Sequence, residues 1–387
     1  MNAIVNTKLI MEDGIIWDGV LLFEDGIIVA ADWADKVEIP EGTNIIDAGG
    51  KYTAPGLIDI HVHGANRLNF HQDPMYCCEF FIKHGHTTVL PTFYCSLSLE
   101  EMLEGAEKVR KASKVGAGRI MDGLYMEGPY MNGTGSNQKY IKWGGDLPVE
   151  EYAPLVAGLG DMARIWAICP TRKNIERFMR YVKDHNPNAI FALGHTFATS
   201  EECKKVHRLG VKVQTHTTDS GKAKGRAHCT SGAGADEFTL YNPDMYAELI
   251  CDQSGVHVVP DLIKMIIRTK GVEKICLITD HMGCETDYPN SEARGVWYGP
   301  DLNYDEEGLL AGSRLTLDGA CRNIMKHTGY GLCHAIRMAT INPARLLGID
   351  DKVGSIEVGK KANLIIIDDM VNVEKVFLEG DLMVDNK

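Results

Sequence analysis

Positive charge is scarce in this chain. Its 40 lysines and arginines stand against 53 aspartates and glutamates, a formal net charge of −13. Neutralising a phosphate backbone takes a basic surface, so no nucleic-acid partner is expected. No apolar run approaches the ~20 residues needed to span a bilayer, so no membrane partner is expected either. A basic start followed by an apolar stretch is also missing, so no signal peptide is read and a cytoplasmic location is expected. The 11 cysteines, an odd number, include no CxxC pair. Several, such as Cys169, Cys251 and Cys276, sit in apolar runs, which points to free buried thiols rather than a disulfide framework or a thiolate metal site. There is no internal repeat, low-complexity segment or proline-rich linker.

What is present suits a large domain with an appendage, or two ordinary domains: 387 residues, 44% of them apolar, enough for a sizeable core. The first fifty residues alternate short apolar runs with Asp13-Gly14, Asp18-Gly19 and Asp25-Gly26, each a hairpin signal. The C-terminal stretch behaves alike, with strands expected over 362–367, 371–378 and 382–384 and a turn at Glu379-Gly380. Residues 1–54 and 351–387 are therefore expected to build one small β-sandwich domain from both termini.

Between them, apolar strand-like runs alternate with helical stretches, the pattern of a parallel α/β fold. Strands are predicted at 56–62, 87–93, 120–126, 164–169, 189–193, 211–215, 246–251 and 275–279, and helices at 98–112, 173–183, 200–209, 262–269, 315–327 and 332–347. Eight alternations favour a closed (β/α)8 barrel of the TIM type over residues 55–350.

Residues suited to bind a metal fall at the ends of these strands. His61 and His63 occupy positions i and i+2 of the first strand, so both imidazoles point to one face. Glu127 follows the third strand, His195 the fifth, His216 the sixth and Asp280 the eighth. Any one of them alone says little, since a strand-end histidine is usually a hydrogen-bonding residue and an aspartate a helix cap. Barrel enzymes, however, build their sites at the C-terminal strand ends. Imidazole and carboxylate together suit Zn²⁺ or Fe²⁺ with a position open to water.

Asp47-Ala48-Gly49-Gly50, followed by Pro55-Gly56-Leu57-Ile58-Asp59-Ile60-His61-Val62-His63, resembles the opening signature of the amidohydrolase superfamily. The run Gly354-Ser355-Ile356 to Gly359-Lys360-Lys361-Ala362-Asn363-Leu364 resembles that superfamily's return into its β domain. Within it, the chain is similar to the N-acetylglucosamine-6-phosphate deacetylases, in segments 123–129, Gly194-His195, Thr215-His216, 255–258, Thr279-Asp280, Gly312-Ser313 and 342–345.

The resemblance implies roles. Glu127, His195 and His216 would hold a principal divalent metal, His61 and His63 a second, and Asp280 would be the general acid/base. His257 would contact the sugar or the carbonyl under attack. Substrate contacts would also come from Asn137, from Asp219 and Ser220 where the family carries an Asn-Ala pair, and from Arg226 in a basic loop, reaching the substrate phosphate of a neighbouring subunit in a homodimer. The implied reaction removes the acetyl group from an N-acetylated amino sugar phosphate, N-acetylglucosamine-6-phosphate giving glucosamine-6-phosphate and acetate. A different N-acyl or cyclic amide on the same scaffold is the alternative.

Overall fold

The computed structural model describes residues 1–132, 141–219, 232–283, 299–305 and 307–386. Eight strands, Leu57–Val62, His86–Tyr94, Leu124–Glu127, Ala163–Ile168, Ile190–Leu193, Val211–Gln214, Tyr246–Ile250 and Ile275–Ile278, pair in chain order into one sheet. Every ladder in it is parallel. These are the eight strands expected from the sequence pattern, displaced by a few residues at most. They are buried almost throughout, because helices cover the outer face and side chains fill the interior, and such strands read as continuous apolar runs.

No ladder joins the first strand to the eighth among the described residues. Single bonds close the ring instead. The Asp280 N–H donates to the His61 carbonyl at 2.9 Å, and the His63 and Gly64 N–H groups donate to the His281 carbonyl at 2.9 and 3.0 Å. All of them lie at the C-terminal end of the barrel, where the candidate ligands are.

Helices alternate with the strands. Leu99–Ala112 starts on a reciprocal cap, in which Glu101 N–H donates to Ser98 Oγ and Ser98 N–H donates to the Glu101 carboxylate, satisfying two otherwise orphaned donors. Ser200–His207 starts in the same way on Thr199 and Glu202. The single helix expected over 332–347 is two, Leu332–Met338 and Ile341–Leu347. Pro343 accounts for the break: its ring would collide with the Ala339 carbonyl in a continuous helix, but it is tolerated in the first turn of a new one.

Both ends of the chain share a separate eight-stranded sheet. Asn2–Met11 lies at its centre and pairs with Gly14–Glu24, Asn44–Asp47 and Tyr52–Pro55, the last of which pairs with the C-terminal Leu364–Ile367. A small core of Ile4, Leu9, Leu21, Phe23, Leu364, Ile366 and Phe377 fills it. Asp25-Gly26 and Glu379-Gly380 make the expected tight turns, with φ of 50° and 79°, and 49° and 81°. Asp18-Gly19 does not. It lies inside the strand Gly14–Glu24, where a Cβ on Gly19 would come within 2.6 Å of the Leu9 side chain, so this glycine serves close packing rather than a turn.

Among the described residues no helix is long and apolar enough to cross a membrane. The nine described cysteines are free of disulfides, and burial pushes thiols such as Cys77 and Cys203 up to about 12.

Candidate metal centre

Glu127 is the last residue of the third barrel strand, and His195, His216 and Asp280 each lie two residues beyond the end of theirs. These last three all adopt positive φ, 43°, 24° and 50°. Side-chain-bearing residues adopt that region at a cost of order 1–3 kcal/mol, and such strain clusters at functional sites. Here it turns the chain sharply off the strand and aims each side chain across the barrel mouth. Gly194 permits the close approach before His195, since a Cβ there would meet Thr215 Oγ1 at 2.9 Å and the Ala167 methyl at 3.1 Å.

The five expected ligands and Asp280 converge. Glu127 Oε1 lies 2.9 Å from His195 Nε2 and 3.1 Å from His216 Nε2. Its other oxygen lies 3.1 Å from His63 Nε2 and 3.6 Å from His61 Nε2. Asp280 Oδ1 faces the same two rings, at 3.1 Å from His63 and 3.5 Å from His61. The ligand atoms fall into two groups, His61–His63–Glu127–Asp280 and Glu127–His195–His216, each within 4.8 Å, and Glu127 alone belongs to both.

The electrostatics favour positive charge at this point. Burial works against the Glu127 charge, yet the four imidazoles around it hold its carboxyl well below the usual range. Burial likewise opposes charge on His216, but Glu127 raises it to about 9; His61 and His63 also move upward against their burial, driven by Glu127, Glu248 and Asp280. A cluster that draws protons onto buried imidazoles is one a divalent cation would satisfy, and its nitrogen and oxygen donors are those that Zn²⁺ and Fe²⁺ take. The residues fit the ion.

Two carboxylates that the sequence reading left without a role complete the arrangement. Glu248, fully buried on the seventh strand, accepts from His61 Nδ1 at 3.1 Å and from the His216 N–H at 3.1 Å. Asp59, on the first strand, accepts from the His61 N–H and from Thr279. Their signal in the sequence was a lone acid inside a mostly apolar strand.

Of the candidate substrate contacts, His257 lies beside the cluster rather than in it. Its Nδ1 is 3.2 Å from Asp252 Oδ2 and its Nε2 3.2 Å from the Gly312 carbonyl. Burial opposes charge on this ring, but Asp252 raises its pKa. Asp219 is exposed just past His216, its N–H donating to the His216 carbonyl at 3.0 Å. Asn137, Ser220 and Arg226 lie outside the described residues.

The model of the amidohydrolase family matches residues 52–383. The chain belongs to the amidohydrolase family. Enzymes of this family hydrolyse carbon–nitrogen bonds with a divalent metal. This amidohydrolase is 27% identical to an N-acetylgalactosamine-6-phosphate deacetylase of Escherichia coli O157:H7, over 97% of each chain. It is 26% identical to an N-acetylglucosamine-6-phosphate deacetylase of Haemophilus influenzae, over 94% of each. The crystal structure of N-acetylglucosamine-6-phosphate deacetylase from Pasteurella multocida superposes with a TM-score of 0.85 at 25% identity, covering 99% of this chain and all of that one.

Proposed function

We propose that this amidohydrolase removes the acetyl group from an N-acetylated amino sugar 6-phosphate, N-acetylglucosamine-6-phosphate before its galactosamine epimer, giving the free amine and acetate. The observation that carries the reading is the sharing of Glu127 between two groups of ligand atoms, with Asp280 facing the His61–His63 pair. Relatives that act on such sugars and match nearly the whole chain support the substrate class.

In this reading Glu127, His195 and His216 hold the principal ion, and His61 and His63, with Asp280 beside them, a second; Zn²⁺ or Fe²⁺ suits the donors. A divalent ion held there supplies Lewis acidity, polarising an amide carbonyl and making water a competent nucleophile near neutral pH. The Asp280 carboxylate takes the proton from the attacking water and delivers it to the departing nitrogen. Burial opposes charge on Asp280, but its bond to His63 keeps its pKa below the ordinary value, so it begins as the base. His257, oriented by Asp252, holds the sugar or the acetyl oxygen. Asp219 borders the sugar, and Asn137, Ser220 and Arg226 belong to the substrate side by the same proposal. The proposal also takes residues 55–350 as the hydrolase domain and 1–54 with 351–387 as a small β domain, in a cytoplasmic homodimer.

The deciding experiment is acetate release from N-acetylglucosamine-6-phosphate, its galactosamine epimer and both unphosphorylated sugars. Turnover of the phosphorylated compounds is expected, abolished by a chelator and restored by Zn²⁺ or Fe²⁺. No acetate from any of the four, with either ion supplied, would sink the proposal.

A further inference from the structure

His61 has two ring nitrogens with different surroundings. Nδ1 lies 3.1 Å from Glu248 Oε2. Nε2 is buried, finds no hydrogen-bond partner, and faces Glu127 Oε2 at 3.6 Å and Asp280 Oδ1 at 3.5 Å. A carboxylate can only accept, so Glu248 keeps a proton on Nδ1 and leaves Nε2, which faces the centre of its ligand group, as the nitrogen that would bind an ion. The Glu248 oxygen that does this also accepts from the backbone N–H of His216 at 3.1 Å, a residue held at φ 24°. One buried oxygen thus touches a ligand from each of the two groups that share Glu127.

An isolated carboxylate in the middle of a barrel strand is costly unless something requires it. Its neighbours on the Tyr246–Ile250 strand, Ala247, Leu249 and Ile250, are apolar and buried. Packing alone would be served by one more aliphatic residue. What this position supplies, and an aliphatic side chain would not, is an acceptor for His61 and His216.

We infer that Glu248 is a positioning residue for the second metal ion: by fixing the tautomer and ring orientation of His61, it makes the His61–His63–Asp280 side of the centre competent to hold an ion alongside the one at Glu127–His195–His216. The inference rests on the metal reading above. Partners behind a ligating histidine typically contribute 10–100-fold in metal affinity, and that range sets the expected effect.

The test is a titration of the full-length, chelator-stripped protein with Co²⁺, following the visible absorbance and competing with a chromophoric chelator, for wild type, Glu248→Gln and Glu248→Leu. Wild type is expected to take up two ions. Glu248→Gln keeps an acceptor oxygen of the same shape, so the second ion should weaken by about 10-fold or less. Glu248→Leu removes the acceptor, and the second ion should weaken by about 100-fold while the first remains. Rescue by the amide separates positioning from mere filling of space, and the Gln variant keeps the test sound if the Leu variant does not fold.

Two ions in wild type with both variants indistinguishable from it would overturn the inference and leave the metal reading standing. A wild type that holds one ion has the same consequence. A wild type that takes up none overturns the metal reading, and the inference with it.

Discussion

Thr279 Oγ1 lies 2.6 Å from Asp59 Oδ2, and both residues are fully buried. The bond crosses the seam between the first and eighth barrel strands, where no ladder runs among the described residues. The other Asp59 oxygen accepts from the His61 N–H at 3.2 Å and the Thr279 N–H at 3.4 Å. One first-strand carboxylate therefore joins the backbone bond from the Asp280 N–H to the His61 carbonyl in setting the heights of His61 and Asp280 relative to each other.

Replacing Thr279 by Val keeps the shape but leaves a buried carboxylate short of its strongest donor. The expected cost is about 2 kcal/mol, read from urea unfolding midpoints, while Thr279→Ser, which keeps the hydroxyl, should lose less than half of that. A larger loss in Thr279→Ser than in Thr279→Val would mean that the threonine methyl, not the hydroxyl, holds the seam.

Asp280 should separate binding from turnover. Its isosteric change Asp280→Asn leaves Glu127, His195 and His216 intact as a ligand group, so an ion should remain bound in elemental analysis. The amide cannot accept the proton from water, and kcat should fall by roughly 10²-fold or more. Near-normal turnover would remove Asp280 from the proposed mechanism.

The barrel was legible because strands buried on both faces read as apolar runs, and its candidate ligands because His195, His216 and Asp280 directly follow such runs. Glu248 and Asp59 were not legible in role. A charge inside a strand looks the same whether it faces water, a cation or a histidine, and only the closed barrel brings Glu248 to His61 across 187 residues of chain. The placement of His257 was not legible either, because its loop is set by Asp252, whose carboxylate accepts from the N–H groups of Ser254, Val256 and His257. The helices Pro74–Ile82 and Val149–Leu159 carried weak signals, the first because apolar residues run nearly all round it, the second because Pro154 lies inside it.

Metal binding should register as stability. An ion that binds only the folded chain stabilises it by about 2.7 kcal/mol at a hundred times its Kd, so Zn²⁺ is expected to raise the Tm of the stripped protein and a chelator to reverse the rise. Glu127 belongs to both ligand groups, and Glu127→Ala should abolish the shift. A shift that persists in that variant would locate the ion elsewhere.

The Asp252–His257 pair predicts an acid-side signature. Burial works against the Asp252 charge, but the His257 ring and the N–H of Val256 hold its pKa down, to about 2. A carboxyl depressed on folding contributes stability above its unfolded pKa near 4, and the contribution is lost as pH falls toward 2. Asp252→Asn should therefore be less stable than wild type at pH 7 by about 2 kcal/mol. That gap should narrow steadily in urea titrations as pH falls from 4 toward 2. A gap that stays constant across the range would mean that shape, not charge, accounts for the loss.

Asp219 bears on the choice of substrate. It is exposed beyond His216 and close enough to favour charge on His257, so it adds negative charge to a mouth already holding Glu127 and Asp280. A phosphorylated sugar meets that charge with its own sign, and an uncharged sugar does not. Asp219→Asn should lower KM for N-acetylglucosamine-6-phosphate by about five-fold at low salt, an effect that shrinks as added salt screens it, and leave KM for unphosphorylated N-acetylglucosamine and both kcat values unchanged. If KM rises for both sugars instead, Asp219 accepts a hydrogen bond from a hydroxyl common to them, and the acidic mouth selects the ring rather than opposing the phosphate.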